Sequence, residues 1–244
     1  MSDIYSAPES ELSKTAEGSD FGSVERGIAG DYELKFGDIL KEAWALKNGS
    51  KSTILLAILF LILVNIGVSF AANFISALIF GPIAVALVSQ VVIMIVTTPL
   101  TVGVMIIGIR SAANTRSSSG SIFNYYHKII PLFLTMLLMY VLIILGTILL
   151  VIPGIYLMIA YAFALPLVVE KNLSPWQALE TSRKAVTHKW FVIFFTFITI
   201  SFAVTLSAIP LLIGLIWTIP WAYLVLGTQY RTLFGIEKTT LESE

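Results

Sequence analysis

The chain has 244 residues, 57% hydrophobic and 12% charged, and its 15 Lys and Arg balance its 15 Asp and Glu. That composition excludes an ordinary soluble domain. The absence of Cys excludes disulfides, thiolate metal sites and a cysteine nucleophile.

Residues 1–34 are rich in Ser, Glu, Asp and Gly, have few large apolar side chains and carry excess negative charge, which predicts a disordered acidic cytoplasmic tail. Met1 to Asp31 has no apolar core behind a basic patch, so no cleaved secretory signal is expected there. Residues 35–51 follow a helical period. Phe36, Ile39, Leu40, Ala43 and Trp44 share one face, and Asp38, Lys41 and Glu42 lie opposite, which predicts an amphipathic interfacial helix stopping near Gly49.

Three long stretches then contain no Asp, Glu, Lys, Arg or His: Ser52 to Ile109, Ile129 to Val169 and Trp190 to Tyr230. A helical span needs about 20 apolar residues, so each stretch can cross a bilayer twice. The predicted fold is all-α and polytopic, with six transmembrane helices arranged as three hairpins within residues 52–230. The spans fall near 54–76, 83–108, 130–151, 155–169, 190–207 and 211–229, and residues 231–244 form a short cytoplasmic C-terminal tail. Lys35, Lys41, Lys47 and Lys51 precede the first hairpin; Arg110, Arg116 and Lys128 join it to the second; Lys171, Arg183, Lys184 and Lys189 join the second to the third. The opposite connections, near Phe80 to Pro82, Val151 to Gly154 and Ser207 to Leu211, are uncharged. The positive-inside rule therefore puts both termini and both long loops in the cytoplasm. A third span in the first stretch would place two cationic clusters on opposite sides, against that rule.

Each hairpin has an entry segment carrying aromatics. Before the second, Ser121 to Tyr126 is a short amphipathic run; before the third, Ser174, Pro175 and Gln177 form a capping box for a helix with Trp176, Leu179, Val186 and Trp190 on one face. Pro99, Pro166 and Pro220, one in the second helix of each pair, suggest a threefold internal repeat. Pro153 and Gly154 fit a tight outer turn, and Ser182 fits a local hydrogen bond.

Ile152-Pro153-Gly154-Ile155-Tyr156, then Phe163 to Glu170, then Ala178 to Arg183, resembles the core pattern of the membrane domain attached to some bacterial glycerophosphoryl diester phosphodiesterases. Tyr5 to Pro8 and the closing Tyr230 to Gly235 resemble stand-alone, uncharacterised proteobacterial inner-membrane members of that group. The resemblance is strongest over residues 150–190. It implies a polytopic protein of the bacterial cytoplasmic (inner) membrane, and no catalytic residue is carried over, because the phosphodiesterase activity of the fused relatives belongs to a separate soluble domain.

The sequence places no carboxylate inside a span, and its two histidines, His127 and His188, each sit beside a Lys at the start of a hairpin. No enzymatic chemistry, cofactor or metal site is expected. Membrane lipids, and not nucleic acid, are the expected partners. Arg183, Lys184 and Lys189 are candidates for lipid-headgroup contact at the inner leaflet. The expected role is membrane organisation or envelope homeostasis through lipid or protein contacts. The alternative is a permease or lipid-handling protein for a neutral or amphiphilic substrate, with a polar pathway through Asn65, Asn73, Gln90, Thr97 and Thr98; set against that pathway, the same side chains can simply bond their own or neighbouring helices. Small-xxx-small patterns at Gly67 to Ala71, Ala160 to Ala164 and Ala203 to Ser207 fit either internal packing or a homo-oligomer.

Overall fold

The structure, a computed structural model, describes residues 21–79 and 81–242, and no strand occurs among them. In chain order the helices are α1 (Val24–Ala29), α2 (Phe36–Ile79), α3 (Pro82–Ala112), α4 (Ile129–Leu149), α5 (Val151–Ala160), α6 (Ala164–Glu170), α7 (Pro175–His188), α8 (Trp190–Ala208), α9 (Leu215–Phe234) and α10 (Lys238–Glu242), with a 3-10 segment (Ser119–Lys128) leading into α4. Five helical runs are long and apolar enough to cross a membrane: Phe36–Ile79, Ala84–Ala112, Ser119–Leu149, Val151–Glu170 and Trp190–Ala208. The protein is thus all-helical and suited to a multi-pass membrane existence.

The sixth expected span corresponds to α9, whose Trp, Tyr, Thr, Gln and Arg residues dilute its apolar content. Its position explains the Trp, Tyr and Arg residues, whereas Thr228 and Gln229 are buried without a side-chain hydrogen-bond partner among the described residues. More than half of α9 is buried, and it packs against both α2 and α3. At its crossing with α3 a Cβ on Gly227 would overlap the Gly108 carbonyl, and one on Gly108 would overlap the Tyr223 carbonyl, so the two glycines set how closely the backbones approach. Trp221 Nε1 donates to the Leu40 carbonyl at 3.1 Å, and Trp44 meets the Trp221 ring edge-on at 6.3 Å. Arg231 reaches the Ala112 carbonyl on α3 and the Glu42 carboxylate on α2, closing the three-helix contact at its other end.

Four local expectations are corrected. Helix α2 does not stop at Gly49 but runs unbroken to Ile79. A mid-helix glycine costs only about 1 kcal/mol relative to Ala, and Ile39, Ala43, Ile54 and Ala57 bury a continuous side of the helix across that point. Next, the α4–α5 connection is the single extended residue Leu150, not Pro153-Gly154. Pro153 sits in the first turn of α5, where its missing N–H leaves no hydrogen bond unmade, and Gly154 lets α5 pack against Thr147 of α4.

Residues 21–34, assigned by composition to the disordered tail, are structured. Ser23 caps α1 by accepting from the Arg26 N–H at 3.2 Å, and Gly30 ends it in the left-handed conformation at φ 77°. Tyr32 and Leu34 are buried, and the Tyr32 hydroxyl donates to the Ala185 carbonyl of α7 at 2.7 Å. Residues 1–20, with Tyr5 to Pro8, lie outside the described residues. Lastly, α9 continues past Tyr230 to Phe234, and Leu233, Phe234 and Ile236 are buried, so the segment beginning at residue 231 starts as part of the core.

The three entry segments take three forms. The first is the front of α2, the second a 3-10 segment, and the third the separate helix α7. Pro99 and Pro220 lie inside unbroken helices, whereas Pro166 follows the break at residues 161–163 between α5 and α6. The proline positions are therefore not structurally equivalent.

Candidate functional site

Helix α7 and the α5–α6 break form the most elaborated polar region. At the capping box Gln177 Oε1 reaches back to accept both the backbone N–H and the hydroxyl of Ser174, at 3.2 and 2.8 Å. Ala178, Leu179, Thr181, Ser182, Ala185 and Val186 face the bundle, while Trp176 stands exposed. Ser182 bonds across the bundle, not locally. Its hydroxyl donates to the Ala160 carbonyl at 2.7 Å and accepts from the Phe163 N–H at 3.3 Å, pairing two groups that the break in the helix leaves free.

The headgroup candidates divide. Arg183 makes a two-pronged contact with Glu180, Nε to Oε2 at 3.0 Å and Nη2 to Oε1 at 2.8 Å, and Lys184 approaches the same carboxylate at 3.4 Å. Hydrogen bonding from Arg183 holds the Glu180 carboxyl below its ordinary range, and Glu180 raises the Arg183 guanidinium in turn. Lys189, exposed at the α7–α8 junction, forms no ion pair among the described residues. Beside them Tyr156 and Trp190 stack at 6.3 Å, Trp190 Nε1 donates to the Tyr156 carbonyl, and the Tyr156 hydroxyl pairs with Thr187 at 2.6 Å.

The polar-pathway residues lie on two neighbouring helices, α2 and α3. Asn65 and Asn73 line a shallow groove along α2 with Ser69, Phe70 and Phe74. There Asn73 Nδ2 donates to the Ser69 carbonyl at 2.8 Å. Thr97 and Thr98 on α3 donate to the carbonyls of Ile93 and Met94, four residues back, at 2.9 and 2.6 Å, and Thr101 does the same to Thr97 at 3.0 Å. Gln90 is exposed on the same helix, and Ser89 is buried. These threonines bond their own helix, as is typical of hydroxyls in apolar surroundings, and the Thr98 hydroxyl also lies 3.0 Å from the Met136 sulfur on α4.

Sequence reasoning missed the depth of Glu170, which entered only as the end of the Phe163 to Glu170 pattern. Its side chain is fully buried; it accepts from the Tyr230 hydroxyl at 2.8 Å and the Glu237 N–H, and lies 3.4 Å from Lys171, which also pairs with Glu237 at 2.8 Å. This network ties α6, α9 and the C-terminal segment together, and it is a structural arrangement, with every oxygen of Glu170 occupied. The histidines are separated and each is spent on a backbone carbonyl, His127 on Asn124 at 2.7 Å and His188 on Ile28 at 2.9 Å. Among the described residues no group of three His, Cys, Asp or Glu could hold a metal ion.

Comparison with family models, curated proteins and solved structures returns no match to the chain.

Proposed function

We propose that the protein is a non-enzymatic integral component of a bacterial inner membrane, crossing it six times as three hairpins with both termini cytoplasmic, and that it organises the membrane through lipid or protein contacts. The observation that carries this reading is the outward face of the helices. Ile66 and Phe70 on α2, Leu149 on α4, Ile152 on α5 and Phe191 and Phe202 on α8 are all more than 60% exposed, far beyond the apolar surface a soluble monomer displays. Inside, the threonines of α3 each bond a carbonyl of their own helix. Cation placement supports the orientation, α9 supplies the sixth crossing on this reading, and the resemblance of residues 150–190 to the phosphodiesterase-associated membrane domain points the same way.

Lipids are the first proposed partners, at the α7 surface. Of the three cations there, Lys189 is the freest to meet a phosphate, whereas Arg183 and Lys184 must first exchange Glu180 for it. Native mass spectrometry from nanodiscs containing phosphatidylglycerol tests this: replacing Arg183, Lys184 and Lys189 together with Gln should reduce the number of retained anionic lipids. Unchanged retention would remove the α7 surface as a lipid contact.

The alternative, a permease or lipid-handling protein for a neutral or amphiphilic substrate, draws its support from the groove bearing Asn65, Ser69 and Asn73, since carboxamides on an otherwise apolar helix face call for a polar neighbour. Flux of a neutral solute into proteoliposomes that is abolished by Asn65→Leu with Asn73→Leu would favour it over the organising role.

A further inference from the structure

A second polar region lies away from α7, where the front of α2 meets the loop that follows α3. We propose that the pocket between them binds an oxyanion of the phosphate class, either a free ion or the phosphodiester of a lipid headgroup. The cavity encloses about 310 Å³, and its polar lining includes Ser50 and Thr53 from α2 and Ser111, Thr115, Arg116 and Ser117 from the end of α3 and the loop. No carboxylate lines it. A lining of hydroxyl-bearing residues and an arginine, with no carboxylate, suits an anion with several oxygens.

The site also contains donors with nothing to donate to. Ser50 is 8% exposed, and both its Oγ and that of Ser117 are buried without a hydrogen-bond partner. Unpaired buried hydroxyls are unfavourable, and rotation of either side chain toward a ligand oxygen in the cavity would pair it. Arg116 is exposed at the pocket and forms no ion pair among the described residues.

The loop is built to hold this shape. The N–H groups of Ala113 and Thr115 donate to the Arg110 carbonyl and that of Asn114 to the Ser111 carbonyl, each at 3.0 Å, with Asn114 in the left-handed region at φ 57°. Carbonyls at the end of α3, which would otherwise repel an anion, are thereby occupied. The buried Arg110 guanidinium braces the loop from behind by donating to the Arg116 carbonyl at 3.1 Å. It is a positioning residue and adds positive charge beneath the pocket.

This inference assigns a ligand class to residues that the organising role does not use. Its lipid form rests on that role, and its free-ion form does not. The test uses the full chain in two arms: binding of inorganic phosphate to delipidated protein in detergent, and retention of phosphatidylglycerol against phosphatidylcholine from nanodiscs. Arg116→Gln, Ser50→Val and the milder Ser117→Ala are compared with Lys41→Gln, which removes an exposed charge from α2 outside the pocket lining. Losing one charge-assisted hydrogen bond should weaken binding about tenfold.

Phosphate binding that falls in the pocket variants but not in Lys41→Gln identifies a free-anion site. Loss of phosphatidylglycerol retention in the same variants, without phosphate binding, identifies a lipid headgroup. The proposal is overturned if neither ligand responds to Arg116→Gln or Ser117→Ala in protein that keeps its wild-type melting temperature, or if Lys41→Gln has the same effect. Retention that depends on Arg183, Lys184 and Lys189 but not on Arg116 would sink the pocket and leave the α7 reading standing. Retention that depends on Arg116 alone would do the reverse.

Discussion

Ser182 shows how a single hydroxyl can hold a broken helix inside an apolar bundle. Without it the Ala160 carbonyl and the Phe163 N–H would both be buried unpaired. Ser182→Ala should therefore lower stability by about 1–3 kcal/mol, measured as a drop in the thermal unfolding midpoint in detergent. An unchanged midpoint would mean that the α5–α6 break is satisfied some other way. Glu180 makes a smaller, pH-dependent contribution. Its folded-state pKa lies below the unfolded one, so its stabilising pairing with Arg183 is fully present above the ordinary Glu range and is lost as pH falls through the depressed value. The carboxylate is 31% exposed, which screens the pair. Acidification should thus destabilise the wild type more than Glu180→Gln, and identical acid profiles for the two would contradict the assignment.

At the scale of elements, the contrast between α7 and α1 explains what the sequence made visible. The start of α7 was legible because a hydroxyl, a proline and a glutamine stand at fixed offsets and act locally. The same local logic existed in α1, with Ser23 before it and Gly30 after it, but its short length and acidic surroundings resembled a tail. What orders α1 is remote: its own Ile28 on His188 and the following Tyr32 on Ala185 depend on partners more than 150 residues away. The uninterrupted α2 was obscured for the same reason, since Gly49 reads as a stop until the buried side of the helix on both flanks is known. Close crossings separate the glycines further. Gly227→Ala, which forces a Cβ into the Gly108 carbonyl, should cost about 1–3 kcal/mol. Gly67→Ala meets nothing within 4 Å and should leave the melting temperature the same or higher. Equal losses in both would show that the α3–α9 crossing is not the constraint. Gly67, with open space around it, also packs nothing inside this bundle, despite its place in a small-xxx-small pattern.

For the whole molecule, the charge-free stretches made the helical class and membrane suitability readable, because the cost of burying charge in lipid acts on composition alone. Interior assembly was not readable in that way. Helix α9 satisfies its Trp and Arg side chains through α2 and α3, so its mixed composition marks a central position among helices more than contact with lipid. Asn65 and Asn73 share a groove on α2, while Thr97 and Thr98 turn back onto α3. The cation pattern and the six-span proposal can be tested together, and the absence of native Cys makes the test clean. Single cysteines placed at Gly81, Leu150 and Leu211, and at Thr115, Asn172 and Lys238, would be exposed to a membrane-impermeant maleimide in intact spheroplasts and again after lysis. The account predicts that the first three label in intact cells and the last three only after lysis. Labelling of Lys238→Cys from outside beside labelling of Leu211→Cys would remove the sixth crossing and contradict the cytoplasmic C-terminus, and protection of Leu211→Cys beside labelling at Gly81 and Leu150 would remove the third hairpin.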